Sequence, residues 1–400
     1  MTVKMTDKEK TNNREEAGTY SIWQLAPGAA ELKLPESPCR ASSLDPAVPL
    51  DRASSGRAFS DRHAGLRVNI LALGDVGATL LLGLKILGGG LISRIGIYDV
   101  NRDMMSRYEM EMNQIGWPFG EKKLPEVVCL NEEDLFDCDM FVFCASKAVP
   151  PVGAAGDVRM MQLEANSKIV SYYGRMAGEK GFKGIFAVVS DPVDPLCKAA
   201  LLASGYSGPS GTSSHSGRPG LFGASGPSGR FGLFGASGPS GRPGLAPGQV
   251  RGYGLGVMNK RAEYYAAGDP RFASYLTEGR AFGPHGQDLV IANSISNYDD
   301  EISRQLTELT VSANLKVREL GFKPYIAPAL SSGAISLLQT LKGEWNYSSV
   351  YIGSGTKGAF LGIKNRIDWE SGRVLAEDLP LPRKLYERIE KAYRNLCGLN

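Results

Sequence analysis

Histidine is scarce in this chain, with three among 400 residues, and the six cysteines never stand in a C-x-x-C spacing. Scattered thiols, two of them (Cys129 and Cys144) in strand-like apolar runs, read as reduced buried side chains rather than as a disulfide framework or a metal site. A dominant charge is also lacking, since 45 Lys and Arg stand against 42 Asp and Glu. Without a basic cluster interleaved with aromatics, nucleic acid is not an implied partner. No stretch is long and uncharged enough to cross a bilayer, and the first residues lack the apolar run of a secretory signal. A soluble, unexported cytoplasmic protein with no membrane partner is the expectation.

What is present falls into four parts. Residues 1–66 form a polar arm rich in Ala, Pro and Ser, in which Tyr20 to Leu25 has the character of a short ordered piece. From Val68 apolar runs alternate with helical stretches: 68–73, 95–98, 126–130, 140–144 and 185–189 read as strands, and 159–173 as one of the helices. This alternation predicts a Rossmann-type doubly wound parallel sheet over residues 67–204. Between 205 and 246 glycine recurs at every third position from Gly217 to Gly244, and the unit Ser216 to Pro227 repeats as Ser228 to Pro239. A G-X-Y period suggests a triple helix, but proline is sparse and both ends are tied to folded chain. The segment therefore reads as a flexible surface loop expanded by tandem duplication. Residues 247–400 resume with strand character at 250–255 and amphipathic helices at 302–320 and 381–397, an α+β second domain.

The segment Arg67 to Asp99 carries the clearest chemistry. An apolar strand runs into a turn holding Gly74 and Gly77, a helical stretch follows, and a second strand ends on Asp99. That is the pattern of a dinucleotide-binding βαβ unit. A backbone bare of side chains approaches a pyrophosphate, the helix N-terminus offers free N–H groups, and a carboxylate at the second strand end accepts from a ribose diol. Ala72 stands where the first glycine of G-x-G-x-x-G usually sits. Asp99 favours NAD, because a carboxylate there repels the extra phosphate of NADP.

Hydride transfer to a carbonyl also needs a proton donor, and histidine is the usual one at neutral pH. His63 lies in the polar arm and His215 in the repeat, which leaves His285 in Phe282-Gly-Pro-His-Gly286. Flanking glycines suit a side chain pushed out of a tight loop, although a loop histidine alone is as easily an ordinary surface residue. Arg261 stands twenty-four residues before His285, and Arg159 seven residues before Asn166. Taken singly, these arginines are equally well a helix-surface ion pair and a helix start. A motif Val189-Ser190-Asp191-Pro192-Val193-Asp194 closes one strand, and Gly358-Ala-Phe-Leu-Gly-Ile-Lys364 makes a late strand turn.

Jointly, these motifs and spacings resemble the L-lactate/malate dehydrogenase family over roughly residues 67–400. The stretch from Asp191 to Arg261 exceeds the family's spacing by close to the length of the repeat, as an insertion would. The resemblance implies an NAD-dependent L-2-hydroxyacid dehydrogenase acting on a small 2-oxo or 2-hydroxy monocarboxylate, with lactate and pyruvate as the expected pair. Malate and branched 2-hydroxy acids are the alternatives. It implies His285 as proton donor, Arg261 as the fork on the substrate carboxylate, and Arg159 on a closing loop polarising the carbonyl. Asn166, Asp191 and Ile326 would complete the substrate side. Gly74, Asp75, Val76, Gly77, Asp99, Ala145, Ser190 and Asp191 would line the cofactor, and a homodimer or homotetramer is implied. Three departures stand out. The family's aspartate three residues before the carboxylate-binding arginine, the partner of the catalytic histidine, is Met258 here. Asp191 replaces the strand-end asparagine, and either repels an anionic substrate or substitutes for the missing histidine partner. Tyr325-Ile326 stands where a hydroxyl is usual. A family member that binds NAD but has lost efficient catalysis is therefore the rival expectation.

Overall fold

The computed structural model describes residues 20–29, 31–35, 65–147, 158–208 and 244–399, with the side chains of 158–161 left out. Asp75 is the first of thirteen helical residues that follow the opening strand, β1 (Leu66–Leu71). That helix, α1 (Asp75–Leu87), leads to β2 (Ile92–Tyr98), α2 (Arg102–Asn113), β3 (Glu126–Cys129) and β4 (Met140–Phe143). Next come α3 (Val158–Glu179), β5 (Ile185–Val188), α4 (Val193–Ala203) and β6 (Val250–Gly252). These six strands are parallel and lie in the order β3-β2-β1-β4-β5-β6, which is the doubly wound arrangement expected from the sequence. Strands β4 and β5 are apolar at every position and buried throughout, as strands covered on both faces must be.

From β6 the chain enters α5 (Leu255–Gly268), then a small antiparallel pair, β7 (Arg280–Phe282) with β8 (Val290–Ala292). The amphipathic α6 (Asp300–Glu319) and α7 (Ser336–Lys342) precede β9 (Asn346–Ser354), β10 (Lys357–Asp368) and β11 (Arg373–Ala376), and α8 (Arg383–Gly398) closes the chain. Strand β9 joins β6 antiparallel, so β9, β10 and β11 extend the parallel sheet into one of nine strands. The piece Tyr20 to Leu25 is ordered, as its sequence suggests. Ser21 caps a 3-10 turn at Ile22–Leu25, Ile22 is buried, and the Tyr20 ring stacks on Tyr386 of α8 at 4.8 Å.

Two packing features place the later site. A π-helical segment, Pro328–Ile335, lies between α1 and α5, and small residues make that possible. A Cβ on Gly83 of α1 would stand 2.6 Å from the Ala334 Cβ, and one on Gly333 would stand 2.8 Å from Leu80. From the same segment Ser332 donates to the Gly254 carbonyl and accepts from the Val257 N–H, capping α5 in place of a local side chain. Beneath α5 a second apolar cluster gathers Leu255, Val257, Met258, Ala262, Ile291 and Leu306. Each large side chain buried there contributes about 2 kcal/mol of transfer free energy.

The ends of the repeat insertion meet at the C-terminus of α4. Leu245 N–H donates to Ser204 Oγ at 2.9 Å, and Leu245 is 1% exposed. The repeat itself, 209–243, lies outside the described residues, as do the arm at 1–19 and 36–64 and the loop 148–157.

Candidate active site and cofactor site

The turn after β1 has the geometry a pyrophosphate requires. Gly74 is the N-cap of α1, with no side-chain cap on the helix and open space where a Cβ would stand. Gly77 is buried, and a Cβ there would lie 2.0 Å from the Ala72 carbonyl oxygen, so only glycine lets helix and strand pack this closely. Ala72 occupies the left-handed region (φ 73), the conformation for which a first glycine is suited. The turn is thus built without that glycine, and β1 ends at Leu71 rather than at Leu73 as the apolar run implied.

Asp99 does two things at the end of β2. Its carboxylate accepts from the Leu73 N–H at 2.8 Å and from the Asn101 N–H at 2.9 Å, tying the turn to the second strand. It also lines a cavity of about 390 Å³ with Tyr98, Arg102, Asn131 and Glu132, opening at the C-terminal ends of β2 and β3. Free lone pairs remain on the carboxylate, so a ribose diol can still be held. An open glycine cap, a glycine that a Cβ would block and a carboxylate beside a cavity together fit a dinucleotide. Asp75 and Val76 complete the turn, Asp75 exposed and Val76 half-buried. Cys144, at the end of β4, has its thiol pushed up to about 12 by burial and stays unreactive.

On the other side, the β7–β8 loop presents His285. Gly283 (φ 90) and Gly286 (φ 130) take conformations that other residues avoid, and Gly283 N–H is pinned to the Gly362 carbonyl of β10 at 2.9 Å. The imidazole side chain is 12% exposed. Its Nδ1 lies 3.1 Å from Asp191 Oδ1, and its Nε2 is buried with no partner among the described residues. Arg261, on α5, is half-buried, and its guanidinium meets Asn314 of α6 and the sulfur of Met258 (3.7 Å) rather than forming an ion pair. Burial lowers its pKa, and the Asp191 carboxylate opposes that shift.

The strand-end motif is locked from beneath. Ser190 donates to the Ala145 carbonyl at 2.8 Å. Asn166, fully buried on α3, accepts from the Lys147 N–H at 2.9 Å and donates to the Asp191 carbonyl at 2.8 Å and to Ser146 Oγ at 3.3 Å. Its amide is therefore engaged in holding the ends of β4 and β5 together. Ile326 is exposed, and the side chain of Arg159, in the first turn of α3, lies outside the described residues.

The structure adds three residues that the sequence did not single out. Asn314 meets the Arg261 guanidinium from 53 positions away, and Lys323 reaches Asp75 across 248, distances that carry no local signal. Asp194 did have one, standing in the same motif as Asp191. It is 3% exposed, receives a hydrogen bond from Ser349, and faces His285 and Asp191; burial pushes its carboxyl up to about 7.

Comparison with known proteins bears on this arrangement. Residues 66–210 match the model of the lactate/malate dehydrogenase NAD binding domain. Over this part the chain is similar to the NAD-binding domain of the lactate/malate dehydrogenase family. The L-lactate dehydrogenase of Mesomycoplasma hyopneumoniae is 30% identical over 145 residues, which is 36% of this chain and 42% of that protein. The L-lactate dehydrogenase of Treponema denticola is 30% identical over 142 residues, 35% of this chain and 42% of that protein. The match thus spans less than half the length of these relatives. Beyond it the fold continues the likeness. The minor L-lactate dehydrogenase of Enterococcus mundtii superposes with a TM-score of 0.62 at 18% identity, covering 84% of this chain and 97% of that one. Malate dehydrogenase from Picrophilus torridus gives 0.61 at 17% identity, covering 84% and 96%. The Rossmann-type α/β fold is common to all of them. Among the described residues no helix is long and apolar enough to cross a membrane.

Proposed function

We propose that this protein is an NAD-dependent oxidoreductase that interconverts a small 2-oxo monocarboxylate and its L-2-hydroxy acid, with pyruvate and lactate as the pair. One observation carries the reading. A buried histidine nitrogen and an arginine that, among the described residues, have no hydrogen-bond partner and no ion pair, respectively, stand near one carboxylate, Asp191, beside a turn built for a dinucleotide.

Gly74, Val76 and Gly77 would hold the pyrophosphate on the α1 N-terminus, and Asp99 the ribose. NADH, when bound, supplies a hydride to the carbonyl carbon. His285 Nε2 donates a proton to the carbonyl oxygen, and the carboxylate of the substrate lies on the two-pronged guanidinium of Arg261. Arg159, at the start of α3, is assigned to closing over the site and polarising the carbonyl. No arginine occurs between Cys144 and Val158, where a second cation would be needed for a dicarboxylate, so a monocarboxylate is favoured over malate. Assembly as a homodimer or homotetramer belongs to the same reading, and light scattering tests it.

NADH oxidation with pyruvate, oxaloacetate and branched 2-oxo acids, run beside a NADH fluorescence titration, tests the function. Turnover lost in His285→Ala and in Arg261→Leu, with NADH affinity kept within a few-fold, is the expected result. Tight NADH binding without turnover on any of these acids would favour the second reading, a binding member with degenerate catalysis, which the apolar Met258 supports. Loss of NADH binding in both variants would make the two residues structural.

A further inference from the structure

We propose that Asp191 is the positioning carboxylate of His285, supplied by the β5–α4 turn in place of the α5 position that Met258 occupies. The inference rests on the function proposed above and assigns Asp191 a task within it. Geometry carries it. Oδ1 stands 3.1 Å from Nδ1, while the other ring nitrogen is buried with no partner among the described residues. A carboxylate accepts but does not donate, so the hydrogen at Nδ1 is fixed there, and Nε2 is left to exchange its proton with a substrate oxygen.

Among the described residues no other group is placed to do this. Met258 is 2% exposed with its sulfur 3.7 Å from an Arg261 nitrogen, and a thioether is too weak an acceptor to orient an imidazole. Asp288, on the same loop as His285, is taken by Asn395 of α8 at 2.8 Å. Asp194 faces the ring from the first turn of α4 but is held by Ser349, and Arg261 faces Asp191 from α5. Asp191 itself is fixed by its backbone, because Asn166 holds its carbonyl at 2.8 Å. Gly254, at the head of α5, makes room for the ring, since a Cβ there would lie 2.8 Å from the His285 Cβ. The carboxylate side chain is 58% exposed, so solvent screens the pair and its effect is moderate.

Asp191→Asn keeps the shape and removes the charge. In the reductive direction the proton donor must carry its proton, so removing the carboxylate that orients it should lower the rate and change its pH profile. The turnover number at neutral pH should drop several-fold. Adding Met258→Asp to Asp191→Asn should move the profile back, which a merely structural role for Asp191 does not predict. The direct measurement is the NMR titration of the histidine resonance that vanishes in His285→Ala, made on the full chain with and without Asp191→Asn. A titration and rate profile unmoved by Asp191→Asn, with only the Michaelis constant lowered, would show that Asp191 acts on the anionic substrate and would overturn the proposal. Should the wild-type protein turn over no 2-oxo acid, the proposed function falls, while the titration still decides the pairing.

Discussion

Lys323 Nζ stands 2.9 Å from Asp75 Oδ2, so the segment after α6 reaches across to the first residue of the helix that faces the cofactor. A carboxylate at that place opposes a pyrophosphate, and the lysine offsets it. Both side chains are well exposed, at 80% and 49%, which limits the pair to about 1 kcal/mol or less. Lys323→Ala should therefore weaken NADH binding by no more than about fivefold at low salt, an effect that shrinks as salt screens the charges. Fluorescence titration at two ionic strengths measures it. An affinity independent of Lys323 at both would mean that Asp75 points away from the phosphates.

The alanine at position 72 offers a stability test. Left-handed backbone costs an L-residue about 1–2 kcal/mol, and glycine returns part of that through unfolded-state entropy of about 0.5–1 kcal/mol. Ala72→Gly should accordingly stabilise by about 0.5 kcal/mol in urea melts, whereas Gly77→Ala should destabilise strongly, since its Cβ would meet the Ala72 carbonyl oxygen at 2.0 Å. If Ala72→Gly lowers stability instead, the turn is not strained as its φ implies.

How far the sequence discloses this molecule depends on the range of each interaction. The βαβ unit is legible because its requirements are local: apolar runs, a turn free of side chains and a strand-end carboxylate all lie between Arg67 and Asp99. The Gly-Pro-His-Gly loop is legible for the same reason. The position of Asn166 is legible from its spacing to Arg159 but its bracing task is not, because what it bonds, the Lys147 N–H and the Asp191 carbonyl, becomes adjacent only when β4 and β5 pair. Nor does spacing decide between repulsion and pairing for Asp191, since the direction of its carboxylate is set by the β5–α4 turn. The π-helical packing of Pro328–Ile335 against α1 depends on Gly83 facing Ala334 and Gly333 facing Leu80 across the fold, and no single-segment period encodes that.

The insertion can be removed, but within narrower limits than its glycine period suggests. Leu245 is buried, Tyr206 packs against the main core, and Gly208 lies against Gly355, so both ends of the 205–246 stretch belong to the fold. Replacing 209–243 by a few glycines should leave the melting temperature within a few degrees and the activity intact, because each doubling of loop length costs only about 0.6 kcal/mol. Deleting all of 205–246 should instead destabilise by the loss of Leu245, on the order of 2 kcal/mol or more. A native mass that falls when only 209–243 is removed would make the repeat an assembly element.

Asp194 should make stability depend on pH. Its carboxyl is 3% exposed with one oxygen unpartnered, and burial raises it from 3.8 to about 7, against the opposing pull of Ser349 and of the His285 charge. In the unfolded chain the same group ionises near 3.8. The sign follows from linkage: when the folded value is the higher one, the stabilisation is complete below the unfolded value and is lost as pH rises through the folded one. Between about pH 4 and 7 the native state keeps a proton that the unfolded chain releases, and each step upward favours unfolding. Asp194→Asn carries no ionisable proton, so its melting temperature should change less with pH over that window than the wild type's. Asp191 and His285 face the same carboxyl, and Asp191→Asn, which removes a like charge that helps to hold the Asp194 value up, should end the decline at lower pH and make it smaller. Melting curves of the three proteins from pH 4 to 8 decide the matter. Parallel curves for Asp194→Asn and the wild type would show that this carboxyl is solvated in the native protein, and with it that the space under His285 is open to water.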